Sequence, residues 1–176
     1  MAYFIYCQGM PWPLIFHFLF LNPMITMYTD GASSGNPGPG GYGVVLMSPR
    51  HNLRKEFSEG FRRTTNNRME LLAVIVGLEA LKKPNTEITI YSDSKYVVDA
   101  VEKGWIWGWL KKGFKGKKNE DLWRRFIQVY KLHKVELKWV RGHAGHAENE
   151  RCDFLAVEAG RRPDLLIDHG FERGNG

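Results

Sequence analysis

Cysteine is scarce in this chain, with Cys7 and Cys152 as its two representatives among 176 residues. Two cysteines so far apart suggest neither a disulfide framework nor a four-cysteine zinc site, and their scarcity fits a reducing cytoplasm. Long hydrophobic runs are also missing. The apolar run 14–21 is interrupted by His17 and is far shorter than the ~20 residues that a membrane span needs. We therefore expect a cytoplasmic protein without a membrane span.

Charged residues are absent from the amino terminus, since no Asp, Glu, Lys or Arg precedes Asp30. A secretory signal would need a basic start and a small-residue cleavage site, and neither is evident in residues 1–23. Two hypotheses remain for this hydrophobic extension: a weakly membrane-associating segment, or upstream sequence translated from a mis-assigned start. We favour the second, because Met24 and Met27 immediately precede the first predicted strand.

Basic charge is in excess. The formal net charge is +6 and the sequence pI is about 9.3, a balance that suggests a polyanionic partner. The length fits one domain with a real core. We place this domain at residues 24–165 and call residues 166–176 the C-terminal tail. No internal repeat is visible, and we expect a monomer with no stable protein partner.

Hydrophobic periodicity predicts a mixed α/β fold. Alternating apolar and polar residues predict strands at 25–30, 42–47, 53–61, 87–92 and 135–140. Helical patterns cover residues 68–81, 94–103, 121–132 and 148–160. The order βββαβα, a further helix, β and α indicates a five-stranded mixed sheet. We expect this sheet to be antiparallel at one side, parallel in the βαβ part and flanked by helices.

Acidic residues occupy positions in this pattern from which they could converge. Asp30 and Asp93 each end a predicted strand, and sites in open α/β sheets gather at the carboxyl ends of strands. Glu70 lies early in helix 68–81, which is apolar nearly all round. A carboxylate there is costly unless it is paired, capped or bound to a metal. Asp153 in the last helix is a fourth candidate.

Three of these acids also have an ordinary alternative. Asp30 before glycine is a common turn signal, Glu70 could interact with the helix N-terminus, and Asp153 could be a surface acid near Arg151. If the four meet, either their pKa values rise steeply or a cation compensates their charge. All-oxygen ligands favour Mg²⁺, with Mn²⁺ as an alternative, over zinc. Two such ions about 4 Å apart can activate water and stabilise the leaving oxygen in phosphodiester hydrolysis.

Two further segments bear on chemistry. His143 lies in a loop between Gly142 and Gly145 and suits a proton carrier, with simple solvation as the alternative. A zinc site at His143 and His146 is disfavoured, because their loop supplies no other Cys or His partner. The segment 105–118 is rich in tryptophan and lysine and contains no acid. We expect some of its tryptophans to be buried anchors and its lysines to face nucleic acid.

Five motifs stand out in order along residues 24–165. They are Tyr28-Thr29-Asp30-Gly31 with Gly35-Asn36-Pro37-Gly38-Pro39-Gly40-Gly41-Tyr42-Gly43; Arg63-Thr64-Thr65-Asn66-Asn67-Arg68-Met69-Glu70-Leu71; Ser92-Asp93-Ser94; Asn119-Glu120-Asp121-Leu122-Trp123; and Trp139-Val140-Arg141-Gly142-His143-Ala144-Gly145-His146 through Glu148-Asn149-Glu150-Arg151-Cys152-Asp153. In residue type and order these motifs closely resemble bacterial ribonuclease H of type 1. The resemblance implies a ribonuclease H-like fold. It also implies an endonuclease that hydrolyses the RNA strand of RNA–DNA hybrids with two Mg²⁺ ions, leaving 5′-phosphate and 3′-hydroxyl ends.

The resemblance also implies roles for individual residues. Asp30, Glu70, Asp93 and Asp153 look like the metal-binding carboxylates, and His143 looks like the mobile histidine that assists proton transfer or product release. The implied substrate contacts are Asn36, Asn66 and Asn67 in the minor groove of the hybrid, Arg63, Thr65 and Asn119 around a DNA-strand phosphate, and Trp105, Trp109, Lys111, Lys112 and Lys115 in a basic protrusion. The chain departs from the family pattern at Lys95, where we expect a glutamine in substrate contact, at Leu110, where we expect a lysine, and in a shortened stretch, 114–119.

Two other classes of protein compete with this interpretation. A non-catalytic hybrid-binding module would be expected to lose a carboxylate, which the intact acidic set argues against. A resolvase or integrase core would share the βββαβα order, but the Trp/Lys segment and the loop 142–146 favour ribonuclease H. The interpretation makes one geometric demand: the side chains of residues 30, 70 and 93 must lie close enough to share ions.

Overall fold

The computed structural model describes residues 25–175, so the predicted extension 1–23 lies outside the described residues. The described strands and helices are, in chain order, β1 (Ile25–Ser33), β2 (Gly38–Ser48), β3 (Leu53–Thr64), α1 (Asn66–Glu79), β4 (Glu87–Ser92), α2 (Lys95–Glu102), α3 (Trp105–Lys111), α4 (Glu120–Tyr130), β5 (Lys134–Trp139) and α5 (Ala147–Gly160). A 3₁₀ turn, Pro49–His51, joins β2 to β3, and a short helical segment, Phe171–Asn175, follows the last helix. None of the described helices is both long and apolar enough to cross a membrane.

The strands form one five-stranded sheet in the order β3-β2-β1-β4-β5. β1, β2 and β3 pair antiparallel, whereas β4 is parallel to both β1 and β5. Short connections suffice for the antiparallel part, and the parallel part needs the crossover helices α1 and α2–α4. The predicted mixed sheet is therefore confirmed.

The two faces of the sheet carry different helices. Met27 and Gly31 point toward α1, where a Cβ atom added to Gly31 would overlap the backbone nitrogen of Glu70. On the opposite face, a Cβ atom added to Gly43 would overlap the carbonyl oxygen of Cys152 in α5. Glycines at these two points let both helices approach the strand backbones closely.

α1 is the centre of the hydrophobic core. Its middle is buried all round, because the sheet covers one side and Leu122, Trp123 and Phe126 of α4 belong to the same buried cluster. Only Asn67 and Glu79, at its two ends, are exposed. The prediction of a buried central helix is confirmed, although α1 begins two residues earlier than predicted.

One local prediction was wrong, and one helix was not predicted. Asp30 does not end its strand, because the antiparallel pairing of β1 with β2 continues to Ser33. The parallel pairing with β4 does stop at Thr29, opposite Ser92, so Asp30 is the first residue of β1 beyond the parallel ladder. The second miss is α3, a separate helix inside the Trp/Lys segment that buries Ile106.

Candidate active site

Three of the four predicted carboxylates meet at one point of the fold. One oxygen atom from each of Asp30, Glu70 and Asp93 lies within 4.8 Å of the other two. Asp30 comes from β1 just beyond the parallel ladder, Asp93 directly follows β4, and Glu70 comes from the first turns of α1. The close contact of Gly31 with the backbone of Glu70 brings the third acid to the sheet.

Hydrogen bonds satisfy this acidic cluster only in part. The Gly31 N–H donates to Asp30 Oδ1 at 2.7 Å, and Asn66 Nδ2 donates to Glu70 Oε1 at 3.3 Å. Glu70 Oε2 is buried without a hydrogen-bond partner among the described residues. A buried carboxylate oxygen in that position is costly unless a cation or another group binds it.

Burial and mutual repulsion make the cluster electrostatically unfavourable. Burial first, and then the charge of Asp93, raise the pKa of Asp30 to about 8 against the opposing Gly31 hydrogen bond. Burial, followed by the charges of Asp30 and Asp93, raises the pKa of Glu70 well above its ordinary value. A divalent cation would relieve this repulsion, and an all-oxygen donor set suits a hard ion. The three residues therefore fit a hard divalent cation.

Asp153 is close enough to act on the cluster but is not one of its three members. Its charge contributes to the raised pKa of Asp30, while the group of converging oxygens consists of Asp30, Glu70 and Asp93. Asp93 has further support from α5 and β5. Asn149 Nδ2 donates to Asp93 Oδ2 at 3.4 Å, and Trp139 Nε1 donates to the Asp93 carbonyl at 3.0 Å.

His143 lies in an exposed loop that runs directly against the cluster. A Cβ atom on the neighbouring Gly142 would crowd Asp93 Oδ2 at 2.5 Å. His143 itself has a φ of 52°, in the left-handed region. The exposed imidazole of His143 therefore belongs to the residue directly after Gly142, which lies against the Asp93 carboxylate.

A cavity of about 540 Å³ brings together substrate positions that are far apart in the sequence. Its lining includes the predicted residues Asn36, Thr65, Asn67, Trp105, Trp109 and Asn119. Asn66 lies beside this set, since its backbone N–H donates to Asn36 Oδ1 at 3.4 Å. Lys117 and Lys118 of the Trp/Lys segment also line the cavity, as do Tyr96 and Phe171, which were not predicted.

The other predicted contacts lie at the protein surface. Lys111, Lys112 and Lys115 are exposed on α3 and the loop after it. The Lys95 ammonium lies 5.0 Å from the ring centroid of Trp139. The Arg63 guanidinium lies 5.8 Å from the ring centroid of Phe171.

The expectation of tryptophan anchors in the segment 105–118 is confirmed only in part, because Trp107 and Trp109 pack against the hydrophobic core. Trp105 is exposed, and Trp107 and Trp109 are only half-buried. Ile106 and Phe114 are the buried anchors. Leu110 packs against the core, so an apolar residue suits this position, where the resemblance leads us to expect a lysine.

A buried ionic network that sequence reasoning missed supports the cavity. Arg68, which is 1% exposed, pairs at 2.7 Å with both Asp121 of α4 and Asp168 of the tail. The same arginine donates to Asn119 Oδ1 at 3.5 Å, and Asn119 Nδ2 donates to Tyr96 Oη at 3.0 Å. The sequence signal for this network was Arg68 itself, a charged residue in a helix that is apolar nearly all round.

The sheet order and the acidic cluster beside a basic, aromatic cavity define the class of the protein as a metal-dependent nuclease. The RNase H family model matches residues 22–161. The chain is 58% identical over 149 residues to a ribonuclease H of Desulforamulus reducens, covering 82% of this chain and 92% of the relative. It is 53% identical over 153 residues to a ribonuclease H of Trichodesmium erythraeum, covering 84% and 96%. The chain belongs to the ribonuclease H family.

Solved structures agree with this assignment. LC9-RNase H1, a type 1 RNase H with the type 2 active-site motif, superposes with a TM-score of 0.72 at 36% identity, over 86% of this chain and 80% of that one. LC11-RNase H1 in complex with an RNA/DNA hybrid superposes with a TM-score of 0.56 at 28% identity, over 77% and 95%. The predicted ribonuclease H-like fold is confirmed.

Proposed function

We propose that this protein hydrolyses the RNA strand of RNA–DNA hybrids with two divalent cations, leaving 5′-phosphate and 3′-hydroxyl ends. Mg²⁺ is the proposed ion, with Mn²⁺ as the alternative. The observation that carries the proposal is the convergence of Asp30, Glu70 and Asp93 within 4.8 Å. The hybrid bound by LC11-RNase H1 supports the substrate class.

The carboxylates have distinct tasks in this proposal. Asp30, Glu70 and Asp93 hold the cations, and Asp153 adds negative charge beside them. When bound, the cations supply an activated water and stabilise the charge on the leaving oxygen. Asp30 must release its proton to become a ligand near neutral pH, because its pKa in the cluster without a cation is about 8. Cation affinity should therefore increase as the pH rises.

The remaining residues bind the substrate and move a proton. His143 exchanges a proton with the reacting groups from its exposed loop. Arg63, Thr65 and Asn119 bind a phosphate of the DNA strand, while Asn36, Asn66 and Asn67 contact the minor groove. Contacts to 2′-hydroxyl groups there distinguish the RNA strand from DNA. Lys95 and the Trp105, Trp109, Lys111, Lys112 and Lys115 protrusion add further contacts to the hybrid.

A cleavage assay with matched substrates tests the proposal. We expect Mg²⁺-dependent cleavage of a labelled hybrid, and no cleavage of duplex RNA, duplex DNA or either single strand. Asp30→Asn should lower hybrid cleavage at least ~100-fold, because it removes a charged ligand of the cations that would stabilise the transition state. Its dissociation constant for the hybrid should stay within about three-fold of wild type, because lysines and groove contacts dominate binding. Asp164→Asn, a change at an exposed acid just before the tail, is the control, and normal turnover by Asp30→Asn would refute the assignment.

We also propose that the protein acts as a monomer in the cytoplasm. Cys152 is a free, buried thiol, which supports a reducing compartment. Sedimentation at micromolar concentration tests the monomer. A stable dimer under these conditions would contradict it.

A further inference from the structure

The C-terminal tail pairs with β3 at Leu166 and reaches the cavity at Phe171. Leu166 pairs with β3 through two backbone hydrogen bonds of 2.9 Å, one accepted from the Arg62 N–H and one donated to the Gly60 carbonyl. The chain then passes the buried Arg68 and reaches Phe171, whose half-buried side chain lines the cavity. The tail therefore contributes part of the wall against which the substrate would lie.

Buried interactions fix the position of this wall. Asp168, which is 6% exposed, accepts hydrogen bonds at 2.7 Å from Arg68 Nε and from Thr64 Oγ1. The other oxygen of its carboxylate accepts the backbone N–H of Phe171 at 3.2 Å. One buried carboxylate thus ties the core of the protein to the backbone of Phe171.

The tail also holds both arginines near the end of β3. Glu172 accepts from Arg62 Nε at 2.9 Å and from Arg62 Nη2 at 2.6 Å. The next residue, Arg63, has its guanidinium over the ring of Phe171, 5.8 Å from the centroid. Contact with an aromatic face consumes none of the five N–H donors of a guanidinium, so Arg63 stays able to bind a phosphate.

We propose that Phe171, which lines the cavity, is a positioning residue for hybrid binding that acts by holding the guanidinium of Arg63 over its ring. This inference rests on the proposed function and extends it to the tail, beyond the segment that the family model matches. A ring that pre-orients an arginine lowers the cost of ordering that side chain on binding. Its loss should weaken substrate binding and leave the acidic cluster, and hence the chemical step, unchanged.

Steady-state kinetics of the full chain on a labelled hybrid in Mg²⁺ test the inference. Phe171→Ala should raise KM about three- to ten-fold, the range expected for a cation–π contact at a partly exposed site, with kcat within about two-fold of wild type. Phe171→Tyr keeps the ring and should restore KM. Leu166→Ala, which alters the same tail outside the cavity, should leave KM unchanged.

A double variant identifies the route of the effect. If Phe171 acts through Arg63, Phe171→Ala should add nothing to the KM of Arg63→Ala. Additive effects, an unchanged KM in Phe171→Ala, or an equal rise in Leu166→Ala would each overturn the inference while the proposed function stands. Failure of the wild-type chain to cleave the hybrid would instead overturn both.

Discussion

At Asp30, burial and neighbouring carboxylates act on a single side chain. Together they raise its pKa to about 8, compared with ~3.9 in an unfolded chain. Between these two values the folded protein binds more protons than the unfolded chain does. The free energy of unfolding without divalent cations should therefore fall as the pH rises through this window.

Asp30→Asn should remove this pH-dependent loss. The amide has the same shape, and its oxygen can still accept the Gly31 N–H that donates at 2.7 Å in the structure. In EDTA at pH 9 we expect the variant to be more stable than wild type by up to about 5 kcal/mol, and we expect the difference to disappear below about pH 4. Urea denaturation at several pH values measures it.

Saturating Mg²⁺ provides the control for this residue. The cation binds the folded state alone and should stabilise wild type more than the variant. At pH 9 the difference between the two free energies of unfolding should then become smaller or change sign. A variant that is less stable than wild type at pH 9 in EDTA would show that repulsion at Asp30 is not costly.

At the scale of the elements, the contact between β1 and α1 depends on Gly31. A Cβ atom there would overlap the backbone of Met69 and Glu70, and backbone cannot move aside as a flexible side chain can. Gly31→Ala should therefore destabilise the fold by about 3 kcal/mol and displace Glu70 from the cluster. Chemical denaturation and cleavage of the hybrid measure the two effects.

Gly108→Ala is the matched control for this substitution. Gly108 lies inside α3, and a Cβ atom there would meet nothing within 4 Å. Alanine favours a helix by up to ~1 kcal/mol over glycine, so this variant should be neutral or slightly more stable. Equal destabilisation by both substitutions would refute the steric explanation.

The exposed lysines of α3 and the following loop should act as a unit. Neutralising Lys111, Lys112 and Lys115 should raise KM. It should also reduce the steepness with which the logarithm of the hybrid-binding constant falls against the logarithm of the salt concentration, by up to ~3. The same loss of charge at Lys55, Lys82 and Lys83, which are exposed elsewhere, is the control. Hybrid binding titrated from low to high salt makes the comparison, and an unchanged slope in the first variant would contradict a role for these lysines.

The elements were predictable where one periodicity dominates. α1 was predictable because its residues are apolar on every side, and β4 and β5 because their apolar and polar residues alternate. The end of β1 was not, since the pairing of Ala32 and Ser33 with Gly41 and Gly40 involves residues that also suit a turn. α3 was missed because tryptophan, glycine and lysine give a seven-residue helix little amphipathic pattern.

At the scale of the whole molecule, the convergence of the site was expected but could not be demonstrated from the sequence. The chain places Asp30, Glu70 and Asp93 on separate elements, and only the strand order with β1 next to β4 makes them neighbours. Asp168 and Phe171 gave no local signal. Their positions depend on the buried Arg68, whose partners lie 53 and 100 residues further along the chain.

The Arg68 network should make the stability of the whole fold sensitive to acid. Burial raises the pKa of Asp168, but hydrogen bonds from Arg68 and Thr64 outweigh burial and hold that pKa below its ordinary value. Asp168 therefore stabilises the folded protein above the pKa of an unfolded aspartate, ~3.9, and loses this contribution as the pH falls through its own lower pKa.

Asp168→Asn should lower the free energy of unfolding by about 2 kcal/mol at pH 7, because Arg68 would keep only Asp121 as a charged partner. The difference in free energy of unfolding between Asp168→Asn and wild type should reach its full size above about pH 5 and shrink below about pH 4. Asp164→Asn should differ from wild type at neither pH. Urea denaturation at pH 7 and pH 2.5 measures both variants. A gap that stays constant down to pH 2.5 would mean that the charge of Asp168 does not couple the tail to the core.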